Sequence, residues 1–226
     1  MVKLVTFASS RFYRGLEMMV VEAERSGFFN AIKVYRDVGM PSSFRYYAEF
    51  NARGYGYWRW KPMVCVDAMQ NMSDGDVLVY ADAGCTINAD GDMARWIELA
   101  GDKILGFHLG EYFTERRYTK LSVLDAFNAH DIKDTPQIIG TCIVIPINEH
   151  NKSIIRDWMK AAIDHAELFN DDQDKEDPEF IDHRHDQSVL SIMLKKRGAN
   201  VIPDETYHDG HGNYNPIAPI WATRRR

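Results

Sequence analysis

The stretch Asp76-Val-Leu-Val-Tyr-Ala-Asp82-Ala-Gly84-Cys85 decides the fold, because an apolar run built like a buried strand stops on a carboxylate followed by two small residues. Val77, Leu78, Val79 and Tyr80 form the short continuous apolar segment expected of a central strand covered on both faces. Open α/β sheets take their ligands beyond the carboxyl ends of such strands, which puts Asp82 at the expected mouth of a site. The same residue also suits a turn leading to Asn88-Ala-Asp90-Gly91, since Asp and Gly dominate turns.

Outward from this strand, segments with strand and helix periodicity alternate. Residues 3–8 alternate like a strand and turn through Ser9 and Ser10, and residues 13–25 carry Leu16, Val20 and Ala23 near helical spacing. Residues 32–38 read as a second strand, 61–72 as a helix, 93–100 as a short amphipathic helix and 103–108 as a strand. In the second half come a helix over 119–129, an apolar strand over 138–145 closed by Pro146, and a long helix over 149–169. Ile155, Trp158, Met159, Ala162 and Ala166 make the buried stripe of that helix. Residues 170–182 are acidic and read as a flexible loop, followed by a helix over 187–196 and a strand over 199–202. The pattern predicts one α/β domain over residues 1–226, with a mostly parallel central sheet and helices on both faces.

Composition narrows the class. The chain has 226 residues, 45% hydrophobic and 27% charged, the balance of an ordinary globular protein, and its 12% aromatics are somewhat rich. Cys65, Cys85 and Cys142 are odd in number and set in apolar surroundings, so they read as buried thiols of a reducing, cytoplasmic protein. The first residues form a strand pattern with no signal-peptide core, and no apolar run reaches the length of a membrane span. A net charge of −6 weighs against nucleic acid as an obligatory partner, which would need a field of Lys and Arg. Two basic clusters remain, Arg116, Arg117 and Lys120 in one and Arg224, Arg225 and Arg226 in the other; each is either solvated charge or a place for a phosphate.

Four segments hold polar residues that packing alone does not require. Gly54-Tyr-Gly-Tyr-Trp-Arg59-Trp-Lys61-Pro62 mixes aromatic faces with cations, which suits a phosphate or a sugar as well as a structural corner. Asp82-Ala83-Gly84 could hold a hard divalent cation and leave room for a diphosphate. His183-Arg-His185-Asp186-Gln187-Ser188 sets titratable groups at a helix entrance, where Asp186 also suits an N-cap. His208-Asp-Gly-His211-Gly-Asn-Tyr-Asn-Pro216 offers two imidazoles in a glycine-rich stretch, which otherwise reads as a surface loop.

Taken in order, these segments, with the strand from Gly75 to Gly84 and the stretch Gln137 to Gly140 entering a strand, resemble the small glycosyltransferases of the GT-A fold, especially the glycogenin-like group and its virus- and bacterium-encoded relatives. The resemblance covers nearly the whole chain. It implies transfer of a sugar from a nucleotide-diphosphate donor, a UDP-sugar first, to a glycan acceptor, with a modified base of viral DNA as the other acceptor. It further implies a divalent cofactor, Mn2+ or Mg2+, held at an Asp-X-Asp strand end, where Asp82 matches the first position and Gly84 stands in the third. His208 and His211 look like the family's metal histidine, although neither is followed by Gly three residues on. Thr6, Ala8 and Ser9 look like its nucleoside-binding edge, and Arg59, Lys61, Ala83, Gly84 and Gln187 look like further donor contacts. Asp186, beside Gln187, falls where the resemblance implies a carboxylate near the reacting carbon, and Asp82 shares the catalytic assignment.

Three other readings bear on the same residues. A sugar-nucleotide pyrophosphorylase would carry a glycine-rich basic loop after the first strand, where this chain has Phe7-Ala8-Ser9-Ser10-Arg11. A metal-dependent hydrolase could be built on His183, His185, His208 and His211, but it would leave Asp82 unexplained. A non-catalytic glycan-binding module is the third.

Overall fold

Why Asp82 faces a site follows from the sheet. The computed structural model describes residues 1–40, 53–172, 175–209 and 211–226. Its strands are β1 (Val2–Ala8), β2 (Ala31–Arg36), β3 (Val77–Ala81), β4 (Thr86–Ile87), β5 (Leu105–His108), β6 (Cys142–Pro146), β7 (Asn200–Pro203) and β8 (Ile220–Trp221). The longer helices are α1 (Tyr13–Ser26), α2 (Trp60–Met69), α3 (Met93–Ala100), α4 (Leu121–Ala126), α5 (Glu149–Asp164) and α6 (Asp186–Arg197). Six strands form one sheet in the order β2-β1-β3-β6-β5-β7. Strands β2, β1 and β3 are mutually parallel, β6 runs antiparallel to both β3 and β5, and β7 is parallel to β5. The carboxyl ends of five strands and the amino end of β6 therefore share one edge of the sheet.

Period-two alternation sorts the strand residues between two cores. Leu4, Val77, Val79, Ala81, Cys142 and Val144 pack against Met19 and Ala23 of α1 and Trp96 of α3. Val5, Phe7, Leu78, Tyr80, Ile143 and Ile145 pack on the other face against Val64 and Ala68 of α2, Ile155 and Trp158 of α5 and Val189 of α6. The expected mostly parallel sheet with helices on both faces is what these residues build. Side-chain caps start two helices: Asp92 accepts the Arg95 N–H before α3 at 2.8 Å, and Asn148 accepts the Asn151 N–H before α5 at 2.9 Å.

Three sequence expectations are corrected. The long helix stops at Asp164 and a short turn at Ala166–Leu168 follows. The carbonyls of Glu167, Leu168 and Phe169 are turned to side chains instead, accepting from Lys120 Nζ at 2.6 Å and meeting the rings of His183 and His185 at 3.0 and 2.7 Å. The strand expected over 138–145 begins only at Cys142. Ahead of it the chain passes so close to α6 that a Cβ on Gly140 would meet Gln187 Cβ at 3.1 Å and Asp186 Oδ2 at 3.2 Å. The acidic loop, expected to be flexible, is tied down in its described part: Glu176 caps the Leu121 N–H at 2.6 Å, Asp177 pairs with Arg116 and Glu179 with Arg117. Residues 173–174 of that loop, and Gly210 of the histidine-bearing segment, lie outside the described residues.

Candidate active site

Because side chains alternate along β3, the residue after Ala81 faces the same way as Leu78 and Tyr80, toward the layer that holds α2 and α6. Asp82 thus meets Lys61 from the first turn of α2 and Asp186 from the first turn of α6. Lys61 Nζ lies 2.8 Å from Asp186 Oδ2 and 3.4 Å from Asp82 Oδ1, and it donates to the Gly140 carbonyl at 2.9 Å. Tyr80 donates its hydroxyl to Asp82 Oδ1 at 2.5 Å, and the ammonium sits 5.2 Å from the Tyr80 ring centre. The Lys61 side chain is 4% exposed and that of Asp186 6%, while that of Asp82 is 36% exposed. Asp82 is therefore the member of the triad that can touch a ligand.

The electrostatics follow from burial. Desolvation pushes the Asp186 carboxyl up to about 6 against the pull of Lys61, with the charge of Asp82 adding to the rise. Burial would lower the Lys61 ammonium, but Asp186 and Asp82 outweigh it and hold the lysine above its ordinary value. Burial, then Asp82, carries the Tyr80 hydroxyl well above the usual tyrosine range. The Lys61 ammonium donates to the Gly140 carbonyl and stands at ion-pair distance from both carboxylates. It is a fixed positive strut between two carboxylates.

Strained backbone delivers the strut. Gly54, Tyr55, Gly56, Tyr57 and Trp58 all have left-handed φ, between 55° and 93°. The three aromatic residues among them hold a conformation that L-residues avoid at about 1 kcal/mol or more each. Their turn is closed by Tyr57 N–H to Arg53 O at 2.7 Å and by Trp60 Nε1 to Gly54 O at 3.1 Å. Trp58 stacks on His185 with ring centres 5.3 Å apart, and His185 itself has a φ of 51° immediately before Asp186. The same stack therefore orients the entrances of both helices that carry the triad.

Other expected residues fall around this centre. Gln187 accepts the Gly140 N–H at 3.0 Å and donates to Gln137 at 2.6 Å, fixing the strand entry above Lys61. Arg59 is buried and donates Nε to the Ala162 carbonyl of α5 at 2.8 Å. Thr6 is fully buried inside β1, and Ala8 packs with Leu16 and Ala83. Ser9 precedes the turn Ser10–Phe12. His208 packs between Tyr207 and Tyr214, and the His211 N–H donates to Asp209 at 2.8 Å.

His183 and His185 are corrected as members of a hydrolase cluster. Both are buried with a ring nitrogen against a backbone carbonyl, and burial lowers both, His183 to about 3. Among the described residues no group of three or more His, Cys, Asp or Glu stands close enough to hold a metal ion.

That observation also bears on the expected Mn2+ or Mg2+. At the strand end only Asp82 supplies a carboxylate, and its Oδ1 already receives Tyr80. A Cβ on Gly84, in the third position of the motif, would meet Arg225 O at 2.9 Å and Arg224 Cα at 3.2 Å. The donor set does not fit a divalent cation, which prefers several oxygen ligands.

Three contributors are not singled out by the sequence. Tyr80 reads as plain core, and Arg184 enters only as part of the stretch 183–188, whereas Gly140 belongs to the stretch from Gln137 that carries the resemblance. Asp37, just past β2, accepts N–H groups from Ser10 at 2.9 Å and Val38 at 3.0 Å as well as the Tyr13 hydroxyl. It closes the edge beside Ser9, and an acid following a strand is the signal that could have found it.

The sequence matches no family model and no curated protein. Solved structures do match. The bifunctional glycosyltransferase WbbM aligns with a TM-score of 0.51 at 9% identity, over 97% of this chain and 45% of that one. Mouse xyloside xylosyltransferase 1 aligns with a TM-score of 0.50 at 8% identity, over 98% of this chain and 97% of that one. The galactosyltransferase LgtC, solved with donor and acceptor sugar analogs, gives 0.49 at 11% over 97% and 86%. The chain has the GT-A fold, the architecture of nucleotide-sugar glycosyltransferases, and it spans less than half the length of WbbM.

Proposed function

We propose that this protein is a glycosyltransferase that moves a sugar from a nucleoside diphosphate donor, a UDP-sugar first, to a hydroxyl of a glycan. The observation that carries this reading is the buried Lys61 held between Asp82 and Asp186 at the carboxyl edge of a GT-A sheet. In the reaction the bond between the anomeric carbon and the diphosphate oxygen breaks and its electron pair leaves with the diphosphate. The acceptor oxygen forms the new bond to that carbon and its proton passes to solvent. Asp82, the half-buried carboxylate open to the site, stabilises the positive charge that gathers on the sugar ring. Lys61 and Asp186 hold Asp82 in place. The reading assigns no step to a metal.

A glycan acceptor is supported by an open cleft of about 700 Å³ further along the same edge, lined by His108, Asp204, Tyr207, His208, Tyr214 and Asn215 among others. Aromatic faces beside carboxylates and amides are partners for sugar rings. The net charge of −6 weighs against a DNA acceptor. Three free, buried cysteines fit work in a reducing cytoplasm.

The test is release of nucleoside diphosphate from a panel of UDP-, GDP- and TDP-sugars, with oligosaccharide or duplex DNA as acceptor. Release by the wild type, lowered roughly 100-fold or more in Asp82→Ala with the circular dichroism unchanged, is the expected outcome. No release from any donor overturns the reading.

A further inference from the structure

Gly84 leaves a question of charge, because the breaking bond deposits negative charge on the diphosphate and the strand end offers no cation-holding pair. What fills the space is the segment 223–226. Arg225 N–H donates to Gly84 O at 2.9 Å, and Thr223 Oγ1 donates to the same carbonyl at 2.9 Å. The Arg225 guanidinium is spent on anchoring: it grips both oxygens of Glu22 on α1 at 2.6 Å each and the Cys85 carbonyl at 2.6 Å. β8 adds a short antiparallel ladder to β4 just beyond Asp82. The segment is thus built into the site.

Its neighbour makes no ion pair among the described residues and rests on an aromatic ring. Arg224 is exposed and holds a left-handed φ of 56°, a conformation that non-glycine residues avoid, with its guanidinium 5.4 Å from the Tyr207 ring centre. Arg184, two residues before Asp186, lies over Tyr118 at 4.1 Å and Phe113 at 5.3 Å. Burial lowers the Arg184 guanidinium, Tyr118 and Asp182 oppose that fall, and the charge of Arg224 adds to it. Among the described residues neither has a carboxylate within ion-pair distance, whereas Arg116, Arg117 and Arg225 all do. Two such cations, one with its backbone against Gly84 and the other two residues before Asp186, are arranged for an anion.

We propose that Arg224 and Arg184 bind the donor's diphosphate and take the leaving charge that a divalent cation would otherwise take, so that transfer proceeds without a metal. This rests on the nucleotide-sugar reading above. Guanidinium forks match phosphate oxygens and stay charged throughout.

Calorimetric titration with UDP and with GDP, each in EDTA and in MnCl2, tests it on the full chain. The expected result is binding in EDTA that MnCl2 does not strengthen, weakened about tenfold or more by Arg224→Ala and partly restored by Arg224→Lys. Arg184→Ala is expected to weaken it likewise, with circular dichroism and the thermal midpoint of each variant showing that it folds. Binding that requires MnCl2, or that Arg224→Ala and Arg184→Ala leave unchanged, overturns the proposal while the glycosyltransferase reading stands. Binding in neither condition removes the nucleotide-sugar reading and this proposal with it.

Discussion

At the residue scale the site turns on one buried cation. Replacing Lys61 by Met keeps its volume but strands Asp186 beside Asp82 with no counter-charge, so stability should fall by about 3–5 kcal/mol in urea unfolding. A loss below about 1 kcal/mol would show that the Lys61–Asp186 pair is not the buried strut described here. The same pair predicts a pH dependence. Asp186 in the folded protein titrates near 6, above the ordinary aspartate value, so it takes up a proton more readily folded than unfolded. As pH falls through about 6 the carboxylate loses the charge that fixes Lys61, and kcat should fall, while this group's own contribution to stability rises. In Asp186→Asn the acid limb of the rate profile should disappear; a limb unchanged in that variant would assign the titration elsewhere. Asp82 stood out in the sequence because a carboxylate ends an apolar run, whereas Lys61 and Asp186, each ordinary at a helix start, were singled out only by the resemblance. Tyr80 was not, since a tyrosine in a strand reads as core until its hydroxyl is seen on Asp82.

At the element scale the informative feature is a docked segment that local propensity could not reveal. The strand and helix periods up to residue 203 were readable, but β4 and β8 are two residues each and exist only because residues 216–226 return to lie along the sheet edge. Long-range contacts of that kind leave no period. They leave glycines: Gly91 faces Pro219 and Ala218, and both Gly15 and Gly84 face Arg225. Gly15 gives the sharpest test, because it sits inside α1, where Ala normally gains about 1 kcal/mol of helix propensity. A Cβ there would meet Arg225 O at 2.9 Å and Ala83 O at 3.2 Å, and neither atom belongs to a flexible side chain. Overpacking of about 1–3 kcal/mol should win, so Gly15→Ala lowers the thermal midpoint. A raised midpoint would mean that residues 223–226 do not rest on α1.

At the scale of the whole molecule, one sheet separates two cores, and the alternation along β1, β3 and β6 that made the fold class readable also joins them. Every core residue of β3 on one face is flanked by neighbours that belong to the other, as Leu78 lies between Val77 and Val79. The order of the strands, and the reversal of β6, were not readable, because direction depends on which edge a connection crosses and not on the pattern within a strand. Shared strands predict shared unfolding. Trp96 under one face and Trp158 under the other are both fully buried, so truncation of either to Ala should cost about 3–5 kcal/mol. If residues 1–226 fold as one domain, both variants should still melt in a single calorimetric transition, with near- and far-ultraviolet dichroism lost together. Two transitions, with Trp96→Ala moving one and Trp158→Ala the other, would divide the chain into separately folding layers. The strand end that carries Asp82 would then lie on the boundary between them, and the site could not stay assembled through the first melting step.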